Sequence, residues 1–364
     1  LRQLDLELDD VRAALSWLRV RGDVQQLGRL AAALARYCTH RGLLSEGRRW
    51  IADAHALGAG ADPLLAAKLL RADGLLAGEL GQLAEAVSAL RQAADIYRAR
   101  SDDRNLAQVL GGLSHAEQSR GHLEAATEAA IEARQLARGQ GDVRSEASAA
   151  GNLALIALRA GRFAEAEAGI AEAIELFRRA GDHHGAIIGL GNLGEVARKR
   201  GNSEAAGKQF VEALVAARKL GAIDLEGWAL ANLASWRVEV GDLDGAAGEL
   251  AAGLEKLAAA EDSMAAAAAI DTAAVILAHR SRFADAALAW GAYEAAIARM
   301  GVPPDPQSMT EAAVAAARDE LGEPEFERFR AAGAALSIAD AIKVVVSGLS
   351  DPVTTVYGHD DGAQ

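Results

Sequence analysis

Three glycines in a phosphate-binding arrangement form the motif with the clearest chemical meaning. The stretch GLGNLG at residues 189–194 matches the pattern G-x-G-x-x-G, whose glycines let a backbone approach the pyrophosphate of a dinucleotide. That chemistry requires a strand before the motif and a helix after it. Residues 182–188 have the pattern of a helix start instead. We therefore interpret these glycines as helix-packing residues, and no cofactor is predicted.

Histidines and acidic residues form no recognisable catalytic or metal-binding set. His183 and His184 are adjacent at a predicted helix start, and adjacent residues do not share a helix face. His115 and His122 flank a predicted turn, without further ligands at zinc-site spacing. We find no pairing of a nucleophile with a base. The sequence predicts no metal site, no catalytic residue and no enzymatic activity in this chain.

A glycine that returns every forty residues explains the first motif better. The series consists of Gly81, Gly121, Gly161, Gly201 and Gly241, with Gly42 before it and Ser281 after it. Similar phrases follow its members, such as GQLAEA, GHLEAA and GRFAEA. Gly191 lies in phase with Gly111 and Gly151, and Gly194 occupies a small-residue position of the repeat. A period of this size indicates a solenoid of repeated helical units.

Each unit has the pattern of two helices. In the fourth unit we predict helices over about 142–159 and 162–179. Gly161 is predicted to be a left-handed residue between them, and Asp182 to be the N-cap of the next helix. In the second helices, apolar residues at i, i+4 and i+7 form one stripe. That stripe begins at Ala86, Ala126, Ala166, Ala206, Ala246 and Ala286.

Composition points to an all-α protein and excludes several partners. The 364 residues are 51% hydrophobic but only 4% aromatic, and the abundant alanine favours closely packed helices. A net charge of -13 argues against nucleic-acid binding, which depends on neutralising phosphates. Cys38 is the single cysteine, as expected in a reducing cytoplasm. No apolar run reaches the length of a membrane span, so no membrane partner is predicted.

The repeat resembles the tetratricopeptide repeat. Its first helix carries a leucine followed by a small residue, as in Leu153-Ala154. Its second helix starts at a glycine, which is followed two positions later by an apolar residue and three positions after that by an alanine. The usual period is 34 residues, so a period of 40 implies longer helices. The resemblance spans residues 23–300, about seven units. It implies an all-α superhelical solenoid with a concave, ligand-binding groove.

The tetratricopeptide register places a row of asparagines at this groove. Asn152, Asn192 and Asn232 are forty residues apart, although asparagine is a poor residue for a helix interior. An amide has donors and an acceptor, so the row is suited to binding the backbone of a ligand. A ladder of hydrogen bonds between neighbouring helices explains the row equally well, and both interpretations stay open.

Two other kinds of side chain share groove-facing positions in that register. Arg159 and Lys199 would form a basic strip for an anionic partner, although the helix dipole alone favours cations there, and we prefer that explanation. Trp228 is equally suited to anchoring a partner and to core packing. The candidate ligand-binding residues are Asn152, Asn192, Asn232, Arg159, Lys199 and Trp228.

The flanks resemble those of the repeat region in bacterial STAND-type ATPases, many actinobacterial, including LuxR- or MalT-like regulators. The N-terminal resemblance lies in residues 4–17 and 41–51, and the C-terminal one includes Trp290, Gly291 and Phe326. The chain begins at Leu1 within a helical pattern, so we expect a piece of a longer protein. The predicted divisions are an N-terminal helix (1–22), the solenoid (23–300), a helical cap (301–349) and a disordered polar tail (350–364).

These observations predict a sensor or scaffold module. It would bind a peptide, protein or small effector in the groove and act on an ATPase or transcriptional output domain of a larger regulator. The alternatives are the regulatory repeat segment of an adenylate-cyclase or ATPase fusion, or a self-association module without a small effector.

Overall fold

Helices follow one another along the entire described chain. A computed structural model describes residues 2–302 and 310–350, which contain α-helices and one short 3-10 helix at Ala59–Ala61. The α-helices are α1 (Arg2–Leu6), α2 (Leu8–Arg21), α3 (Val24–Arg41), α4 (Leu44–Ala56), α5 (Pro63–Glu79), α6 (Leu83–Ala99), α7 (Asp103–Ser119), α8 (Leu123–Gln140), α9 (Val143–Arg159), α10 (Phe163–Arg179), α11 (His183–Lys199), α12 (Ser203–Leu220), α13 (Ile223–Glu239), α14 (Leu243–Ala259), α15 (Ser263–His279), α16 (Phe283–Met300), α17 (Thr310–Leu321), α18 (Glu323–Ala334) and α19 (Ile338–Ser350).

Seven helix pairs, from α3–α4 to α15–α16, form a solenoid. In each pair the odd-numbered helix is the first helix and the even-numbered one is the second. Each helix packs against the next along the chain, so the pairs stack in chain order. This arrangement confirms the predicted all-α solenoid of tetratricopeptide-like units.

The first helices form the inner side of the stack. Successive first helices from α5 to α15 contact one another directly, whereas successive second helices make no contact of comparable extent in the described residues. Helices on the inner side of a curved stack lie closer together than those on the outer side. The inner face of α5, α7, α9, α11, α13 and α15 is therefore concave, and we call it the groove.

Left-handed residues and aspartate caps set the boundaries of the helices. Gly161 has a φ of +73° between α9 and α10, and Ser281 keeps the same conformation, at +59°, despite its side chain. Glycine adopts this conformation without steric cost. The Asp182 carboxylate accepts a hydrogen bond from the Gly185 amide at 3.1 Å. The predicted helices of the fourth unit thus appear as α9 and α10, and Asp182 is the predicted N-cap.

The second helices pack through the predicted alanine stripe. Its six alanines are all at most 4% exposed, so no larger side chain would fit without displacing a neighbouring helix. Four residues further along the stripe, Ile170 and Phe210 are buried in the same core cluster. The core is consequently a series of clusters between neighbouring pairs, as expected for a repeat protein.

The flanking helices differ in detail from the predicted divisions. Instead of one N-terminal helix there are two, α1 and α2, with a bend at Glu7. At the other end, α19 packs against α14, α15 and α16 and ends at Ser350, one residue beyond the predicted cap. Residues 351–364 of the predicted tail lie outside the described residues. None of the described helices has the length and apolar character needed to cross a lipid bilayer.

The glycine motif lies within α11, and each of its glycines makes room for a large side chain. A Cβ atom on Gly189 or Gly191 would collide with a neighbouring side chain, and one on Gly194 would lie 2.6 Å from a ring carbon. The side chains concerned are Ile174, Trp228 and Phe210, respectively. They belong to α10, α13 and α12. The three glycines therefore serve helix packing, in accordance with the interpretation from the repeat.

Two substitutions at equivalent positions of the repeat test this packing role. Gly191→Ala should lower the free energy of unfolding by about 1–3 kcal/mol, because the added methyl group displaces the Trp228 ring. Gly151→Ala should raise it by about 0.5–1 kcal/mol, since the nearest atom to its Cβ, in Ala173, is at 3.8 Å. Urea unfolding followed by circular dichroism measures both, and equal stabilisation by both would contradict the packing role.

Candidate functional site

The six candidate residues all lie on first helices that line the groove. Their exposure divides them into three groups. Asn152 is buried, Arg159 is exposed, and the remaining four are half-buried: Asn192, Lys199, Trp228 and Asn232. The groove therefore offers side chains that are fixed by packing and side chains that retain contact with solvent.

Asn152 is occupied by a contact between helices. Its side chain is 8% exposed, and its Nδ2 atom donates a hydrogen bond to the carbonyl oxygen of Gly111 at 2.8 Å. This bond joins α9 to α7, the first helix of the preceding unit. Because Gly111 has no side chain, its carbonyl remains accessible to the amide. At this position the asparagine row stabilises the stack.

Asn192 and Asn232 differ from Asn152. Both side chains are half-buried on α11 and α13. Within the described residues, neither makes a counterpart of the bond between Asn152 and Gly111. For Asn232 one reason is visible at Gly191, the residue equivalent to Gly111, because the Trp228 ring packs over it. For Asn192 the equivalent glycine, Gly151, is not covered in this way. The three asparagines therefore do not form one continuous ladder between the first helices.

Trp228 packs against its neighbours, and its role in anchoring a partner stays a prediction. Its ring packs against Gly191 and contacts the core clusters on both sides of α13. The side chain nevertheless remains only half-buried. Packing holds the indole in a fixed position, while its remaining surface contacts solvent beside the groove.

The two basic candidates lie at helix ends. Arg159 is the last residue of α9, and Lys199 is the last residue of α11, which are positions where the helix dipole favours a positive charge. His115, on α7, is exposed. Desolvation by the surrounding protein lowers the pKa of its imidazole, and the charge of Arg159 lowers it further. The sequence analysis considered His115 only as a metal ligand and did not predict its proximity to Arg159.

The sequence analysis also did not predict two polar contacts between neighbouring first helices. Arg144 on α9 pairs with Asp182 at the start of α11, and Nε2 of His184 lies 2.8 Å from Oδ2 of Asp224 on α13. The partners are 38 and 40 residues apart. Arginine or histidine separated from a carboxylate by about one repeat is the sequence signal that would have found these pairs. Their carboxylates are engaged in linking helices.

A metal-binding arrangement is not found in residues 2–302 and 310–350, where no group of three or more His, Cys, Asp or Glu side chains could hold a metal ion. His122, considered with His115 in the sequence, instead contacts Glu117, with 2.8 Å between Nδ1 and Oε2. Glu117 is buried and also pairs with Arg91 of α6. This cluster joins α6, α7 and the turn after α7.

Comparison with known protein families supports the repeat assignment in the middle of the chain. Residues 145–219 match the tetratricopeptide repeat family, a segment that contains nearly all of α9 and the whole of α10, α11 and most of α12. No curated protein sequence matches the chain.

Solved structures with a similar fold span most of the chain. A Rap protein complexed with Competence and Sporulation Factor is 13% identical, with a TM-score of 0.57 over 94% of this chain and 98% of that one. NprR in complex with its cognate peptide NprX is 16% identical, with a TM-score of 0.52 over 70% and 78%. A STAND protein with a tetratricopeptide repeat sensor from Pyrococcus horikoshii is 17% identical, with a TM-score of 0.47 over 88% and 49%. For the Rap and NprR structures the likeness at these identities is one of fold, and the fold is an all-α solenoid of tetratricopeptide-like helix pairs.

Proposed function

We propose that this chain is the ligand-binding module of a larger signal-transduction regulator and binds an extended peptide or protein segment along the groove. The observation that carries this proposal is the pair of half-buried amides of Asn192 and Asn232 on adjacent first helices. Within the described residues, these amides lack the helix-bridging bond that Asn152 makes to Gly111. They are therefore the members of the row that suit a ligand.

The spacing of the amides suits an extended chain. Packed helices lie about 8–10 Å apart, and an extended peptide advances about 3.3 Å per residue. Asn192 and Asn232 would then meet peptide groups about three residues apart. Since each carboxamide has both donors and an acceptor, each would bind one backbone N–H or C=O irrespective of the ligand's side chains.

The neighbouring side chains indicate which ligand residues would be favoured. Arg159 and Lys199 place positive charge at the carboxyl ends of α9 and α11, which favours an acidic group at that edge. The indole of Trp228 offers a partly exposed apolar surface in the first half of α13, which favours an apolar residue of the ligand there. The proposed ligand is therefore an extended segment with one acidic and one apolar residue.

The wider context is part of the same proposal. The Rap and NprR structures contain, respectively, Competence and Sporulation Factor and a cognate peptide, which supports a peptide as the ligand class. The resemblance of the flanks to STAND-type and LuxR- or MalT-like regulators supports an ATPase or transcriptional output domain elsewhere in the protein. In this proposal the chain itself binds and transmits, and catalysis belongs to the output domain.

The two kinds of asparagine should respond differently to removal of the amide. Asn152→Ala should lower the free energy of unfolding by about 1 kcal/mol, because a buried hydrogen bond is lost. Asn232→Ala should change it by less than about 0.5 kcal/mol, as expected for a half-exposed side chain without that bond. Thermal and urea unfolding measure the difference, and equal losses would show that Asn232 is also structural.

Selection from a displayed library of random dodecapeptides on the immobilised chain tests the proposed ligand class. We expect enriched peptides with one acidic and one apolar residue. Isothermal titration calorimetry of an enriched synthetic peptide should show roughly 5- to 150-fold weaker binding to the Asn192→Ala/Asn232→Ala variant, because two hydrogen bonds to the peptide backbone contribute about 0.5–1.5 kcal/mol each.

A matched control removes two amides from the outer, second helices. Gln92 and Gln135 are exposed on α6 and α8, so the Gln92→Ala/Gln135→Ala variant should bind the peptide as the unaltered chain does. Failure to enrich any peptide, or equal loss in both double variants, would overturn the proposal. Dimerisation that depends on Asn192 and Asn232 in light scattering would favour self-association instead.

A further inference from the structure

Successive turns of the superhelix touch, and Gly42 lies at the contact. Gly42 follows α3 with a φ of +65°. A Cβ atom at this position would lie 2.5 Å from Cα of Ala260 and would collide with the carbonyl oxygen of Ala259. Both partners belong to the junction of α14 and α15, more than five repeats later. Only a glycine allows the two backbones to approach this closely.

A second glycine repeats the contact one unit further along. A Cβ atom on Gly81 would lie 2.8 Å from the sulfur of Met300, at the end of α16. On the inner side, Nη2 of Arg36 in α3 lies 3.9 Å from Oδ2 of Asp182, and α3 also contacts α13. Gly42 and Gly81 each contact residues more than five repeats later in the chain. This shared spacing indicates that one superhelical turn packs against the next.

A helix cap joins the two superhelical turns. The Glu261 carboxylate accepts a hydrogen bond from the backbone N–H of Ser45, 216 residues away, at 2.9 Å. Ser45 is in the first turn of α4, whose own N-cap residue, Leu43, makes no side-chain cap. Leucine is among the poorest N-cap residues. The N-terminus of α4 thus receives its carboxylate cap from the junction of α14 and α15.

Glu261 holds this carboxylate at a cost in backbone conformation. Its φ is +55°, a left-handed value that is uncommon for residues other than glycine. Gly141, Gly181 and Gly221 occupy the equivalent junctions one repeat apart. Glycine would suit this backbone conformation better than glutamate, but glycine has no side chain that could cap α4.

We infer that these contacts form a reversible latch, comprising Gly42, Ser45 and Gly81 on one side and Ala259–Glu261 and Met300 on the other, that holds the superhelix closed and the groove narrow. Opening the latch separates the turns and widens the groove. The latch is a property of the ligand-free chain, and only its role in ligand entry rests on the proposed function.

Three carboxyl groups meet beside the latch. They belong to Glu79 at the end of α5, Asp224 at the start of α13 and Asp262 before α15. The side chains of Glu79 and Asp262 are half-buried. Burial, and then the charges of Asp262 and Asp224, raise the pKa of Glu79 to about 8. Burial also raises the pKa of Asp262 to about 6, although a hydrogen bond from Ala265 opposes this.

The surrounding charges do not cancel this repulsion. Asp224 contacts His184, while Arg41 of α3 lies close enough to sense Asp224 but is paired with Asp5 at 2.7 Å. Glu261 adds a further carboxylate next to Asp262. Because closing raises both pKa values, the closed state binds protons more tightly than an open state with ordinary values. Closing is therefore favoured at low pH. It weakens as the pH rises from 3.8 to about 6 through Asp262 and from 4.5 to about 8 through Glu79, and it changes no further at higher pH.

Distances between two spin labels test the latch directly. The labels are placed at Arg49→Cys on α4 and Glu255→Cys on α14, both exposed positions, with Cys38→Ala removing the single native thiol. Glu261→Gly should shift the distance distribution to longer values, because the cap of α4 is lost even though the backbone strain is relieved. Gly42→Ala should give the same shift, because its methyl group collides with the α14–α15 junction.

Matched controls separate the latch from local effects. Ser101→Gly relieves the same strain, a φ of +52°, at an exposed junction, and Gly141→Ala introduces the same strain as Gly42→Ala, at a φ of +65°, with no atom within 4 Å of its Cβ. Both controls should leave the distances unchanged. Unchanged distances in Glu261→Gly and Gly42→Ala, with circular dichroism showing folded protein, would overturn the latch whether or not the chain binds peptides.

The same labels test the dependence on protons. The distances should be longer at pH 9 than at pH 5 in the otherwise unaltered chain. The Glu79→Gln/Asp262→Asn variant should give the short distances at both pH values, since its neutral amides mimic the protonated groups and asparagine still caps α15. A shift with pH of equal size in this variant would show that these carboxyl groups do not control the latch.

Discussion

Close approach between helices is the constraint on which the rest of the structure depends. The buried alanines of the second helices and the packed glycines of α11 leave no space for larger side chains. A shift of one residue along the stripe would bring Glu85 to the place of Ala86, and a buried carboxylate without a partner is strongly unfavourable. The register of each pair is therefore fixed, and with it the set of side chains that each first helix presents to the groove.

That fixed register decides which inner side chains can bond to a neighbouring first helix. The three asparagines occupy the same position of the repeat, yet Asn152 reaches a bare glycine carbonyl, while Trp228 covers the equivalent glycine, Gly191, of a later unit. A single large side chain thus changes what the neighbouring amide can contact. Small differences between repeats, rather than a separate site, give one part of a regular groove its chemistry.

The helix ends, the left-handed turns and the aspartate caps were predictable, because each depends on residues within one repeat. Asp182 and its bond to Gly185 are an example of such local control. The partner of Asn152 and the contact of Gly42 with Ala260 were not predictable. The first depends on which neighbouring side chains are absent. The second depends on the small rotation between units, which accumulates over more than five repeats and has no signal in any one of them. The binding role of Asn192, Asn232, Arg159, Lys199 and Trp228 stays a prediction.

The proposed contact between turns combines opposing contributions. A side-chain cap at a helix N-terminus contributes about 0.5–2 kcal/mol and favours the closed state, whereas the left-handed backbone of Glu261 belongs to the α14–α15 junction in either state and favours neither. Repulsion among Glu79, Asp224 and Asp262 opposes closing when they are ionised. In the proposed latch the cap and this repulsion act in opposite directions, and a ligand shifts the balance only by the difference in its affinity for the two states. A glycine at position 261 would remove the cap and leave the repulsion unopposed by it, which is why this position is the sharpest test of the latch.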